Sequence, residues 1–159
     1  MRDKRFIAEH RGGLLSKEDH KKLIKWAREC SEHALLLIDK DVDKRLLHAL
    51  LIAEEWENGN ASVGQAMKAS VTAHRVAKES EDQISIAVAR SVGHAVATAH
   101  MADHSLDAAL YALKALKFAG GPICKEQLWQ SRQLQQLPLE IVDLVVTTMN
   151  KKAKSLKIY

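Results

Sequence analysis

Apolar residues recur along this chain at spacings of three and four with almost no period-two alternation, a pattern that predicts helices and no sheet. Leu23, Trp26, Ala27, Cys30, Ala34 and Leu37 form one stripe. Ser16, with Asp19 three residues on, resembles a capping arrangement, so the first long helix is predicted to run to about Ile38. Beyond the DKDVD turn, Leu46, Ala49, Leu50, Ala53 and Trp56 mark a second helix, which Asn58, Gly59 and Asn60 stop. These two are expected to pair as an antiparallel hairpin. Ser62 and Gln65 make a capping box that opens a third helix, with Val63, Met67, Ser70, His74 and Ala77 in line, which turns His74 inward.

The segment from residue 83 to residue 101 is apolar or small on every side, as a buried central helix requires. Its alanines and Gly93 let neighbouring backbones come close. Leu106, Ala109, Leu110, Leu113 and Leu116 place the next helix, with Asp103 or Ser105 as its cap, and Gly120, Gly121 and Pro122 end it. A helix over about residues 123 to 134 carries Trp129, and Pro138 suits the first position of a last helix built on Ile141, Val142, Val145 and Met149. The expected architecture is all-α, a compact bundle of six to seven mostly antiparallel helices around a buried central one.

Length and composition fit one domain over residues 1–150 with a basic tail at 151–159: 159 residues, 47% of them hydrophobic and 28% charged, can bury a core without a disulfide or a metal. No apolar run approaches membrane-spanning length, and the N-terminus lacks the pattern of a secretory signal, so a soluble cytoplasmic protein is expected. Cys30 and Cys124 form no CxxC pair and read as reduced structural residues. The net charge of +4 resides in Lys151, Lys152, Lys154 and Lys157, leaving the body neutral. With no aromatic residues interleaved on a basic face, nucleic acid is not an expected partner.

Candidate chemistry concentrates in GHAVATAHMADH, residues 93 to 104, which holds three of the eight histidines. On one continuous helix His100, Asp103, His104 and Asp107 would fall within about a third of the circumference, a spacing able to offer two imidazoles and a carboxylate to zinc or iron. Asp103 is also a good helix cap, and a break there would place His100 and His104 on different elements. His94 lies about 120° round from His100, so each is expected to serve a separate interface, with Asp103, Asp107 or Glu55 as partners by type. A metal site, a hydrogen-bonding cluster and a ligand or partner pocket all stay open, and no metal or cofactor is assigned. No GxSxG elbow presents a nucleophile, and Gly12 and Gly13 lack the lysine and hydroxyl residue of a P-loop, so they read as a turn.

RDKRF near the start, HRGGLL, AHR at Ala73 to Arg75, GHAVATAHMADH, AALYALKA and the LP at Leu137 together resemble the immunity-protein-five-like family of bacteria and archaea, over nearly the whole chain. The resemblance implies an all-helical, non-enzymatic cytoplasmic protein that neutralises a toxin by binding it. It carries over no catalytic residues. The residues expected to line a binding surface are His74, Arg75, His94, His100, Asp103 and His104, with a cognate toxin as partner and a second copy of the chain as another. The alternatives are a metal-binding or metal-dependent bundle using His100, Asp103 and His104, and a small-molecule sensor with a pocket under the central helix.

Overall fold

The structure is a computed structural model that describes residues 2–158; Met1 and Tyr159, the outer ends of the N-terminal and basic segments, lie outside the described residues. Two 3-10 turns, Lys4–Phe6 and Glu9–Arg11, precede seven helices: α1 (Lys17–Leu35), α2 (Lys44–Glu57), α3 (Val63–Glu79), α4 (Gln83–Ala97), α5 (His104–Phe118), α6 (Ile123–Leu134) and α7 (Leu139–Ser155). Among the described residues there is no strand, and no helix is long and apolar enough to cross a membrane. The all-α bundle is therefore the observed fold.

Local signals set most of the helix starts. Ser16 Oγ accepts from the Asp19 amide at 3.1 Å, and Asp43 and Asp82 accept from the amides of Arg45 and Ser85 at 2.9 and 2.8 Å. Ser62 and Gln65 close the reciprocal capping box, at 3.1 and 2.8 Å. Gly12 and Gly13 form the turn that the sequence suggests. Gly12 sits at φ 87° in left-handed space, and a Cβ on Gly13 would lie 1.9 Å from the Ile7 carbonyl oxygen, so neither position accommodates a larger residue. The turn folds the N-terminal segment back on itself, bridging Ala8 to Leu15, and buries Phe6 and Leu15 in the core.

α4 occupies the centre, packed by α1, α2, α3 and α5. Residue pairs run in opposite directions across its neighbours: Ser70 meets Gly93 and His74 meets Arg90 on α3, while His94 meets His104 and Ser91 meets Ala108 on α5. Its interior is stitched by polar bonds as well as by apolar contact. Ser91 Oγ donates to the Ala108 carbonyl at 2.7 Å, which leaves Ser31 Oγ to donate to Ser91 at 2.8 Å. Ser70 Oγ donates to the Gly93 carbonyl at 2.9 Å. Such buried bonds are expensive to break, because the partner left behind stays desolvated. α4 is not closed on every side, however: Arg90, His94 and Ala97 form a half-buried strip between α3 and α5.

Two helix ends differ from the periodicity. α1 stops at Leu35, and Leu36 to Ile38 form turns in which Leu37 and Ile38 pack on the core while Leu36 is 77% exposed. α4 stops at Ala97, four residues short of the apolar segment's end. Thr98 Oγ1 bonds back to the His94 carbonyl at 3.1 Å, and the Thr98 carbonyl is taken by His20 Nε2 at 2.5 Å, so the chain reverses with its polar groups satisfied. Asp103 occupies the N-cap position of α5 but does not cap it. Its backbone is right-handed helical, and its side chain pairs with Arg2 at 2.8 Å.

The C-terminal half closes the bundle. Trp26 Nε1 donates to the Gln130 carbonyl at 3.0 Å, and Gln130 Nε2 donates to the Ala109 carbonyl at 3.1 Å, fixing α6 to α1 and α5. Trp129, whose neighbourhood of glutamines obscures its role in the sequence, packs on the core edge with its ring 4.3 Å from His33. α7 continues through Ser155 into the basic segment, and Ala153 and Ile158 are buried against Leu110 and Leu113.

Candidate functional site

The early end of α4 redistributes the histidines. His94 lies on the last turn of α4, His104 opens α5, and His100 sits in the turn between them, so the expected set of His100, Asp103 and His104 on one helix does not form. His94 and His104 instead face each other across the α4–α5 pairing, Nδ1 to Nδ1 at 3.1 Å, with ring centroids 5.2 Å apart. A contact of that length between two ring nitrogens is a hydrogen bond in which one ring donates and the other accepts.

Further rings and charged side chains surround this pair. Tyr111, two turns along α5 from His104, stacks on His94 at 5.5 Å with the ring planes 9° apart. His74 of α3 meets His94 edge to face at 4.9 Å and lies directly over Gly93, where a Cβ would approach its ring to 2.7 Å. The glycine is what lets His74 reach the cluster. Arg90 Nη1 donates to His74 Nδ1 at 2.9 Å, which fixes the ring proton of neutral His74 on Nε2. Asp107 completes the group: Oδ1 accepts from Lys152 Nζ at 2.9 Å, and Oδ2 lies 3.8 Å from His104 Nδ1.

Electrostatics keeps the rings neutral. Burial pushes His94 down to about 3 and His74 down to about 4, helped by the positive neighbours Arg90, Lys152 and Lys78. His104 is also lowered, by burial first, while Asp103 and Asp107 work in the opposite direction. At neutral pH the cluster is therefore a set of uncharged imidazoles, bordered by Arg90 and Lys152 and by the carboxylate of Asp107. The side chains of His104 and Asp107 remain 29% and 20% exposed, so the cluster opens to solvent.

His100 belongs to a second site, a cleft of about 390 Å³ lined also by Ala8, His10, Arg11, His20, Trp56, Val63 and Ala99. Arg11 Nη1 donates to the His100 carbonyl at 3.3 Å, closing one wall. His20 is held there by the Thr98 carbonyl and by Trp56, 4.7 Å from ring to ring, and burial lowers its pKa. Because a carbonyl only accepts, His20 carries its proton on Nε2.

Of the six residues the sequence singles out, His74, His94 and His104 converge; Asp103 lies beside them, tied to Arg2, with its Oδ1 buried and without a hydrogen bond among the described residues; Arg75 is exposed on α3; and His100 lines the separate cleft. Asp107, which the sequence also offers as a histidine partner, joins the cluster, and three members are additions. Tyr111 stands seven residues after His104 on the same helical stripe, a spacing that could have marked it. Arg90, four residues before His94, carries the same signal. Lys152 carries none, since it comes from a helix distant in sequence.

Among the described residues, His94, His104 and Asp107 are where three side chains of types able to ligate a metal meet, with their candidate ligand atoms all within 4.8 Å of one another. No curated protein and no solved structure matches the chain. A family model does match, over residues 13–137, and the chain belongs to that family, described as Imm-5 like putative immunity protein.

Proposed function

We propose that this protein acts in the cytoplasm as a non-enzymatic immunity protein, neutralising a toxin by binding it directly. The observation that carries the reading is the family match, which spans α1 to α6 and so includes the whole histidine cluster except Lys152. Two free cysteines, Cys30 buried and Cys124 exposed, suit a reducing compartment.

The surface offered for binding is the outer stripe of α3 and the strip of α4 beside it. Met67, Val71, His74 and Arg75 fall on neighbouring turns of α3, and Met67 and Val71 are 44% and 59% exposed. Exposed apolar side chains beside cations favour a partner that presents apolar and acidic groups. Arg75, Lys78 and Arg90 supply the positive charge. Asp103, pulled away by Arg2, and His100, in the separate cleft, are left out of this surface.

Co-expression with the product of a neighbouring toxin reading frame tests the proposal. Protection of the cells, copurification of the two proteins, and loss of both in a Met67→Asp/Val71→Asp variant with unchanged circular dichroism are the expected results. A toxin that neither copurifies nor is neutralised overturns the reading.

A further inference from the structure

We propose that His94, His104 and Asp107 bind one divalent transition-metal ion of the zinc class. The geometry is the starting point. Two ligand atoms about 2.05 Å from a tetrahedral ion stand about 3.3 Å apart. The His94 and His104 Nδ1 atoms are 3.1 Å apart and His104 Nδ1 is 3.8 Å from Asp107 Oδ2, so two of the three edges lie within about half an ångström of that value, and the ligand atoms of all three residues lie within 4.8 Å of one another. The ligands come from rigid parts of the fold, the last turn of α4 and the first turn of α5, whose spacing is fixed below the site by the Ser91 to Ala108 bond.

The donor chemistry fits the same class of ion. Two neutral imidazoles and one carboxylate are borderline and hard ligands that suit zinc better than calcium or magnesium, which prefer oxygen alone. Both rings must carry their proton on Nε2 to offer Nδ1, so the mutual hydrogen bond between them is what an ion would replace. Asp107 is divided between two roles: Oδ1 holds the Lys152 ammonium, while Oδ2 faces the histidines. His74 is a wall rather than a ligand, because its Nδ1 is taken by Arg90. Three protein ligands leave one tetrahedral position for water.

Lys152 gives this site a signature that an ordinary hydrogen-bonded histidine pair lacks. Its charge, 2.9 Å from Asp107 Oδ1, opposes a cation at Oδ2. Removing it must tighten metal binding.

The test uses the full-length chain, without a histidine tag, at pH 7.5, titrated with Co²⁺ and followed by visible absorbance, then with Zn²⁺ as competitor by calorimetry. One ion per chain with the intense absorbance of tetrahedral Co²⁺ is expected. His104→Gln and His94→Gln should each weaken binding at least tenfold, Asp107→Asn should weaken it by a smaller factor, and Lys152→Met should strengthen it roughly tenfold. His100→Ala, in the other cleft, should leave it unchanged. Circular dichroism of each variant separates lost folding from lost binding, and Lys152→Met, a gain, is immune to that ambiguity. Absence of saturable binding in the wild-type chain overturns the proposal. So does binding that survives both glutamine variants, because the ion then sits elsewhere. The toxin experiment reads protection and not metal, so either proposal can fail alone.

Discussion

The cluster on α3, α4 and α5 and the cleft beneath the N-terminal turn both draw histidines from around the reversal between α4 and α5, yet their imidazoles meet different partners. In the cluster, His94 meets His74, His104 and Tyr111, the His94 and His104 Nδ1 atoms meet each other, and His74 Nδ1 accepts from Arg90, so every nitrogen with a partner finds it in a side chain. In the cleft, His20 spends its Nε2 proton on the Thr98 carbonyl and rests on Trp56. The first arrangement sets the Nδ1 atoms of His94 and His104 against each other at a half-buried opening; the second ties the ring to a backbone carbonyl at a helix end. The role of a histidine here follows from whether its neighbours are other side chains or an orphan backbone carbonyl.

The contrast can be broken most severely at Gly93. Gly93→Leu should cost about 3 kcal/mol, the upper part of the overpacking range, because even a Cβ would lie 2.7 Å from the His74 ring. Denaturant unfolding measures it. A His74→Ala background should recover part of the loss, and an equal cost in both backgrounds would show that His74 is not the obstacle.

On the cleft side, His20→Ala should cost about 2 kcal/mol, since it strands a buried carbonyl and opens space against Trp56. Thermal melting would register this directly. Retention of the wild-type midpoint would mean that the α4 terminus needs no side-chain partner.

Acidity sharpens the comparison further. Burial holds the His20 pKa below its ordinary value of 6.5, with His10 acting in the same direction and the Thr98 carbonyl opposing. Arg11 lines the same cleft. The unfolded chain therefore takes up a proton at His20 before the folded chain does. Its contribution to stability is complete above about pH 6.5 and is lost as pH falls through the lowered folded value. In chelator-treated protein, the stability difference between wild type and His20→Phe should accordingly shift against the wild type between pH 7 and pH 5. A difference that does not change with pH would place His20 in contact with solvent.

The smallest effect is expected at His100. It is half-buried on the cleft wall and reaches the cluster on neither side, so His100→Ala should change stability by no more than about 0.5 kcal/mol and leave metal binding intact. A loss comparable to that of His20→Ala would merge the two regions into one cooperative site.

Periodicity and capping residues were sufficient to read the helices. Ser16, Ser62, Asp43 and Asp82 each satisfy backbone amides within three residues of themselves, and the apolar stripes of α1 and α2 are largely the faces that become buried, whereas on α3 the buried face is Ala66, Ala69, Ser70, Ala73, Val76 and Ala77, and Val63 and Met67 of the expected stripe are exposed. These are local interactions, and local sequence specifies them. The central position of α4 was legible for the same reason, from its small residues. Its end was not. The segment stays apolar to Met101, and where the helix ends the Thr98 carbonyl is bonded by His20, a residue 78 positions away.

The early end of α4 reorganises the site. With the helix broken at Ala97, His100 turns towards α1 and α2 while His104 swings back on His94, so a constellation that looks like one helix face becomes a pairing between two helices. Asp103, a plausible cap by type, is drawn off by Arg2, 101 residues earlier. Lys152 reaches Asp107 from 45 residues later, on a helix that extends into the segment read from the sequence as a basic tail. Residue type and spacing determined that this chain folds as a helical bundle and that its histidines gather near one turn. Which of them meet, and which charges border them, was decided by long-range packing, because a hydrogen bond or ion pair between distant residues depends on where the helices stop and not on the residues beside it.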